Sequence, residues 1–209
     1  MLSFQTVLSD TLELLKRLMH LPILDDMRLV GGTALALQYG HRRSVDLDFF
    51  GETTEDVHEL TDALTDITKE IQIVNYTKRI KTYMLDDVKV DFVNYQYRWL
   101  QEPIVYDGIR LAAPKDIAAM KVNAVMGRGT KKDFIDIYYL LKHYSFEEIL
   151  HFYLEKYPEG STYRALLSMT YFEDADMQPS PYMLEDLEWE EIKRKIESEV
   201  CRYNNKIIE

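Results

Sequence analysis

The chain has a single cysteine, Cys201, in 209 residues, so it can build neither a disulfide framework nor a cysteine-based zinc site. A reducing cytoplasm is the expected compartment. No apolar stretch approaches the roughly 20 residues that cross a bilayer. Asp10 and Glu13 interrupt the segment where a signal peptide needs an unbroken apolar core, so the expectation is a protein neither secreted nor held in a membrane. Eight glycines and six prolines are too few for a collagenous or low-complexity chain. Positive charge is also scarce: 25 Lys and Arg stand against 36 Asp and Glu, a net −11, which argues against a non-specific grip on nucleic acid. What is present, 46% apolar and 29% charged residues, suits one globular domain of ordinary size, or one with a helical appendage.

The net charge hides an asymmetry. From Arg110 to His143 there are seven Lys and Arg against three Asp and Glu, a local +4, whereas Ser145 to Glu199 has five against fourteen, a local −9. A polyanionic ligand is therefore compatible with the middle of the chain, and a basic partner with the tail.

Hydrophobic periodicity predicts a helix over Phe4 to Met19, then a short strand Met27 to Val30 stopped by Gly31-Gly32. Thr33 is expected to open a helix that Gly40 ends. Ser44 to Phe50 alternates, with Val45, Leu47 and Phe49 on one face and Asp46 and Asp48 on the other. A polar helix over Thr54 to Lys69 is followed by strands at about Gln72 to Arg79, Lys81 to Leu85 and Val88 to Tyr95, which read as a meander. After Pro103 the strand signal fades, apart from Ile109 to Ala112. Helices are predicted from Asp116 to Met126 with Pro114 at the start, then over Lys132 to His143, Phe146 to Tyr157, Ser161 to Tyr171 and Leu184 to Tyr203. In the second of these Phe134, Ile137, Tyr138 and Leu141 form the apolar stripe, which leaves Asp133 and Asp136 together on a different face.

Two carboxylates at i and i+2 on one strand project to the same side, about 7 Å apart along the backbone. By itself an Asp-x-Asp is an ordinary solvated strand face. Here it follows a strand, glycine turn and helix start, where backbone N–H groups can meet a phosphate and glycines allow its close approach. A phosphate cradle and a carboxylate pair on successive segments suit Mg²⁺, which prefers hard oxygen ligands and is usually held by one or two carboxylates plus substrate phosphates. Asp91, within Val88 to Phe92, is a candidate third acid from an adjacent strand.

Val30-Gly31-Gly32-Thr33, followed after twelve residues by Asp46-Leu47-Asp48, resembles the signature of the polymerase-β-like nucleotidyltransferase superfamily. The longer string GGTALALQYGHRRSVDLDFF, with KVDF at 89–92, KVNAV at 121–125 and RGTKKDFIDIYYLL at 128–141, resembles the AbiEii/AbiGii toxin family of bacterial toxin–antitoxin and phage-defence systems. That resemblance covers about residues 27 to 143. It implies an α+β fold, a polymerase-β-like core of mixed, antiparallel-leaning sheet flanked by helices over residues 1–112, and a helical portion over 113–209 that completes the active site. It implies transfer of a nucleoside monophosphate from an NTP with Mg²⁺ or Mn²⁺, an RNA acceptor such as tRNA, and a cognate antitoxin.

Residue by residue, the resemblance assigns Gly31, Gly32 and Thr33 to the phosphate turn and Asp46, Asp48 and Asp91 to the metal. Arg42 and Ser44 fall beside the triphosphate, Lys121 faces it, and Lys132, Asp133 and Asp136 form a Lys-Asp-x-x-Asp element. A lysine is a compact point charge suited to a β- or γ-phosphate. Asp136 is preferred to Asp133 as a base or as the group that orients Lys121, since Asp133 also reads as a helix N-terminal acid. Arg110, Lys115, Arg128, Lys131 and Lys132 are the expected contacts for an RNA backbone. A small-molecule or protein hydroxyl as acceptor, which the overall negative charge favours, and a nucleotide-binding module without chemistry are the alternatives. His20, His58, His143 and His151 show no metal-ligand spacing.

Overall fold

A computed structural model describes residues 2–208. The chain forms two compact units, the first containing the residues up to Tyr97 with Glu102–Ala112, the second Arg98–Gln101 with the residues from Ala113 on.

The first unit is built on a seven-stranded mixed sheet. In chain order its elements are α1 (Ser9–Met19), β1 (Arg28–Leu29), α2 (Gly31–Tyr39), β2 (Leu47–Gly51), α3 (Val57–Thr65), β3 (Ile71–Tyr76), β4 (Ile80–Leu85), β5 (Val88–Asn94), β6 (Ile104–Tyr106) and β7 (Ile109–Leu111). The sheet order is β3-β4-β5-β2-β1-β7-β6, with β2–β5 and β1–β7 parallel and the other neighbours antiparallel. The meander expected for β3 to β5 is present, and the parallel β2–β5 pairing joins it to the β1–α2–β2 segment.

Alternation decides the two faces of this sheet. Phe49 and Phe92 stack with centroids 5.4 Å apart, and Tyr83 meets Phe92 edge-on at 5.9 Å, all three fully buried. Helix α3 closes this side, where the Tyr83 hydroxyl meets the Thr61 hydroxyl at 3.0 Å and Val57 O at 3.3 Å. The buried Lys81 ammonium donates to Thr54 O at 2.7 Å, and burial lowers its pKa. Asp48 and Asp91 therefore belong to the opposite face.

Four local expectations are corrected. The N-terminal helix is interrupted at Val7-Leu8, because Thr6 turns back onto Ser3 O through both its N–H and its hydroxyl and closes a separate 3-10 turn. Helix α2 opens at Gly31, not Thr33, since Gly31 takes φ +66°, open to glycine at little cost, and turns the chain directly from β1 into the helix. Strand β2 begins at Leu47, which leaves Asp46 just ahead of it; the Asp46 carbonyl is taken by the Thr33 hydroxyl rather than by the ladder. Strand β6 was not expected, although Asp107-Gly108, both at positive φ, makes the tight Asp-Gly turn that joins it to β7.

The second unit is helical: α4 (Pro114–Gly127), α5 (Lys131–Leu140), α6 (Phe146–Lys156), α7 (Thr162–Met169), the short α8 (Glu173–Asp176), absent from the sequence reading, and α9 (Trp189–Ile208). Helix α4 packs against α5, α6 and α7, and α9 crosses the same three helices as α4 does. Capping boxes at Thr130/Asp133 and Ser145/Glu148 start α5 and α6. The fully buried Lys156–Asp116 ion pair, at 2.7 Å, holds the Arg98–Gln101 segment in this unit. Lys156 also donates to Arg98 O, and Asp116 accepts from the Leu100 and Gln101 N–H groups.

Candidate active site

The glycine turn is shaped by what surrounds it. A Cβ on Gly32 would lie 2.1 Å from a terminal nitrogen of Arg42, whose side chain is almost wholly buried, so the guanidinium occupies the space a side chain at 32 would take. A Cβ on Gly31 would lie 2.6 Å from Asp48 Oδ2. A cation and a carboxylate thus press against the backbone of one turn at the start of α2, where the N–H groups of the first helical turn have no intrahelical partners. Thr33 ties the turn to the segment before β2: its Oγ1 lies 2.9 Å from Ser44 Oγ and against Asp46 O. With a single hydroxyl proton, Thr33 that donates to Asp46 O can accept from Ser44.

The sheet register sets the carboxylates. Asp48 on β2 is level with Asp91 on β5, and Asp91 with Thr82 on β4, a row across three strands on the face opposite Phe49 and Phe92. The β2–β5 ladder opens at Leu47↔Val90, so Asp46 stands one residue before it, outside the pairing. Thr82 Oγ1 donates to Asp91 Oδ1 at 2.6 Å, and the Lys89 ammonium pairs with Asp91 Oδ2. Partial burial works to lower the Lys89 pKa, but the hydrogen bond and charge of Asp91, with Asp48 and Asp46 further away, outweigh it and raise the group. Neither Lys89 nor Thr82 was a sequence candidate. Lys89 shares the period-2 face of Asp91 and was readable in principle; Thr82 depends on the register of β4.

Among the described residues no three acidic, histidine or cysteine side chains are gathered into a metal cage. The donor set still fits Mg²⁺, which takes one or two carboxylates with substrate phosphates. Asp46 and Asp48 offer hard oxygens, and Asp48 leans into a cradle that exists because residue 31 has no side chain.

The remaining sequence candidates lie in the second unit. Lys121 on α4 is buried with its ammonium 2.9 Å from Asp133 Oδ1 and 2.6 Å from Asp136 Oδ2, both on α5 and both without exposed side-chain surface. The face of α5 that carries the two acids is therefore packed against α4. Asp133 also receives the Arg128 guanidinium at 2.9 and 3.1 Å and the Thr130 hydroxyl at 2.6 Å. Burial alone would raise the Asp133 carboxyl; the Lys121 charge, then the hydrogen bond and charge of Arg128 and the Thr130 hydroxyl, hold it well below the usual carboxylate range. Lys132 is exposed.

The expected RNA-contacting row is largely engaged within the protein. Arg110 donates to the carbonyls of Met27, Met19 and Leu24 at 3.1, 3.0 and 2.9 Å. Arg128 is paired with Asp133, and the buried Lys131 lies over Trp189, 5.1 Å from the ring centroid. Lys115 stands over Phe152 at 5.0 Å. Local charge counting cannot distinguish a cation offered to solvent from one that holds the fold.

The chain is similar to an uncharacterised protein of Aquifex aeolicus (strain VF5), 33% identical over 199 residues that make up 91% of this chain and 94% of that protein. Its fold is similar to that of JHP933 from Helicobacter pylori, with a TM-score of 0.60 at 20% identity over 96% of this chain and 94% of the other. It is also similar to the antibiotic-resistance factor ANT(2'')-Ia, with a TM-score of 0.51 at 15% identity over 76% of this chain and 96% of the other. The α+β architecture is that of the polymerase-β-like nucleotidyltransferases. The model of the nucleotidyl transferase AbiEii toxin family, of type IV toxin–antitoxin systems, matches residues 13–201. With nearly its whole length matched, the chain belongs to the AbiEii family and is a nucleotidyltransferase.

Proposed function

We propose that the chain is a toxin that transfers a nucleoside monophosphate from an NTP to an RNA acceptor, tRNA first among RNAs, in a Mg²⁺-dependent reaction. The observation that carries this reading is the meeting of the Gly31-Gly32 turn, the buried Arg42 guanidinium and the Asp48 carboxylate at the start of α2. The turn lets a phosphate approach the backbone, Arg42 offsets its charge, and Asp46 and Asp48 are the residues that would hold the metal. Bound there, Mg²⁺ would supply Lewis-acid stabilisation of charge on the triphosphate. Asp91 is the third acid, positioned by Thr82 and Lys89. Lys121 is proposed to serve the triphosphate, oriented by Asp136, while Asp133 already caps α5 and pairs with Arg128. Phosphoryl chemistry of this kind depends on positioning and charge stabilisation. A cognate antitoxin is proposed from the type IV toxin–antitoxin family alone.

A second reading, with a small-molecule or protein hydroxyl as acceptor, is favoured by the internal engagement of Arg110 and Lys131. One experiment separates the two: purified protein with Mg²⁺, each α-³²P-labelled NTP in turn and total bacterial RNA, resolved on a denaturing gel. Label in a tRNA-sized band, lost with Asp46→Ala and suppressed by added salt, supports the RNA reading. Label on protein alone, or turnover without labelled RNA, moves the acceptor to the second reading. No metal-dependent turnover of any NTP leaves a binding module without chemistry.

A further inference from the structure

The two edges of the seven-stranded sheet are finished differently. Strand β6 at one edge is three residues long, and its Tyr106 ring meets Phe4 at 6.3 Å. So short an edge is a poor template for another strand. Strand β3 at the other edge runs for six residues, Ile71-Gln72-Ile73-Val74-Asn75-Tyr76, and all but Ile71 are exposed, Val74 at 54% and Tyr76 at 60%. It holds no charged residue and no proline, the residues that ordinarily blunt an edge.

The backbone of β3 offers its free side in a definite pattern. Glu70 O accepts from Asp86 N–H at 3.1 Å, in line with the Ile71↔Leu85 register, so by the alternation of an antiparallel ladder Ile71 and Ile73 turn their N–H and C=O groups away from β4. Thr77 N–H donates to Ile80 O at 2.7 Å beyond Tyr76↔Lys81, which turns Tyr76 outward too. Ile73 is level with Tyr83 and Tyr76 with Lys81, so both side chains lie on the α3 side of the sheet. A bulge between Ile73 and Asn75 separates them.

We propose that β3 is a dimer edge, pairing antiparallel with β3 of a second copy of this chain, Ile73 opposite Tyr76 on either side of a two-fold axis normal to the sheet. Three features favour a second copy as the occupant. Glu70 precedes β3 and the Lys78-Arg79 turn follows it, so antiparallel self-pairing brings acid to base at both ends, whereas parallel pairing would set like against like. The bulge then lies beside the axis in both strands, so each is matched by its equal instead of meeting a regular strand. Ile73 and Tyr76 form an apolar cross-strand pair twice over, and the contact is closed, because the same edge is used on both sides. An axis normal to the sheet keeps like faces together, so the Asp48–Asp91 rows of both copies lie on one side of a continuous sheet.

Pairing through six residues is at the small end of interfaces, so association is read over a concentration range. The test is sedimentation equilibrium of the full-length protein from about 1 to about 200 μM, on wild type, Val74→Lys, Glu70→Lys and Glu70→Lys with Lys78→Glu. Wild type is expected to rise from the mass of one chain to that of two and stop there. Val74→Lys, which sets two ammonium groups beside the axis, should weaken the dimer about tenfold or more. Glu70→Lys should weaken it as well, and adding Lys78→Glu should restore it, a rescue that an effect on the monomer fold would not give. Should Val74→Lys fail to fold by circular dichroism, the charge reversal and its rescue decide alone. A wild type of one chain's mass throughout, a mass that grows past two chains, or a dimer indifferent to these variants would each overturn the proposal.

Discussion

The guanidinium of Arg42 stands where a side chain on Gly32 would have to be, 2.1 Å from the position of the missing Cβ. Because Arg42 is almost wholly buried, it has little room to retreat, and a methyl at position 32 displaces it from the turn. Gly32→Ala is expected to cost about 1–3 kcal/mol of stability, the usual range for overpacking. NTP affinity should fall by more than that of a protein destabilised to the same degree elsewhere. Denaturant unfolding and nucleotide titration on one preparation check this, and unchanged NTP affinity would separate Arg42 from the phosphate.

Asp48 faces Asp91 across a parallel ladder, so the fold gains when one charge is removed and the chemistry loses. Asp48→Asn is expected to raise or preserve stability by up to about 1 kcal/mol. Turnover is expected to fall about a hundredfold or more if Asp48 holds the metal. A thermal melt beside a turnover assay reads both, and a variant both less stable and fully active would contradict both halves.

Asp133 makes unfolding pH-dependent in the acid range. Its folded pKa lies well below the usual 3.8, so its stabilisation is complete above about pH 4 and is lost as the pH falls from the unfolded value toward the folded one. Wild type should therefore lose stability more steeply below about pH 4 than Asp133→Asn does. At neutral pH the variant, with Lys121 and Arg128 short of a partner, is expected to be less stable by about 3–5 kcal/mol. Denaturant midpoints measured across the acid range for both proteins would show the gap closing, and a constant gap would refute the linkage.

Lys156 is buried with Asp116 and joins α6 to α4 and to the Arg98–Gln101 segment. Lys156→Met leaves Asp116 as a buried acid retaining its two backbone N–H partners, and a loss of about 3–5 kcal/mol is expected. The paired change Lys156→Met with Asp116→Leu should recover part of that loss, because no charge is then left uncompensated. Equilibrium unfolding of the single and double variants decides it; a double variant weaker than the sum of the single changes would show that the backbone contacts of Asp116 dominate.

The sequence alone carried the features set by short-range rules. A glycine pair between a strand and a helix, carboxylates two apart on an alternating segment and helices at 3.6-residue spacing each follow from φ/ψ freedom or side-chain period within a few residues. For that reason the β1–α2–β2 order, the meander and the faces that carry Asp48 on β2 and Asp91 on β5 were readable. The tertiary structure decided what depends on partners distant in the chain. Register made Asp48 level with Asp91 and brought Thr82 to the third acid, since periodicity assigns a face but not a neighbour on the next strand. Burial turned Lys121, Asp133 and Asp136 into one ion-paired cluster and put Arg110 onto three carbonyls of the first unit, since a charge count carries no information on which cations remain in water. The sequence by itself thus determined which chemical groups this protein brings to its site. Long-range packing determined which of them are already engaged, because the energy of a charge depends on the burial and partners that the fold provides.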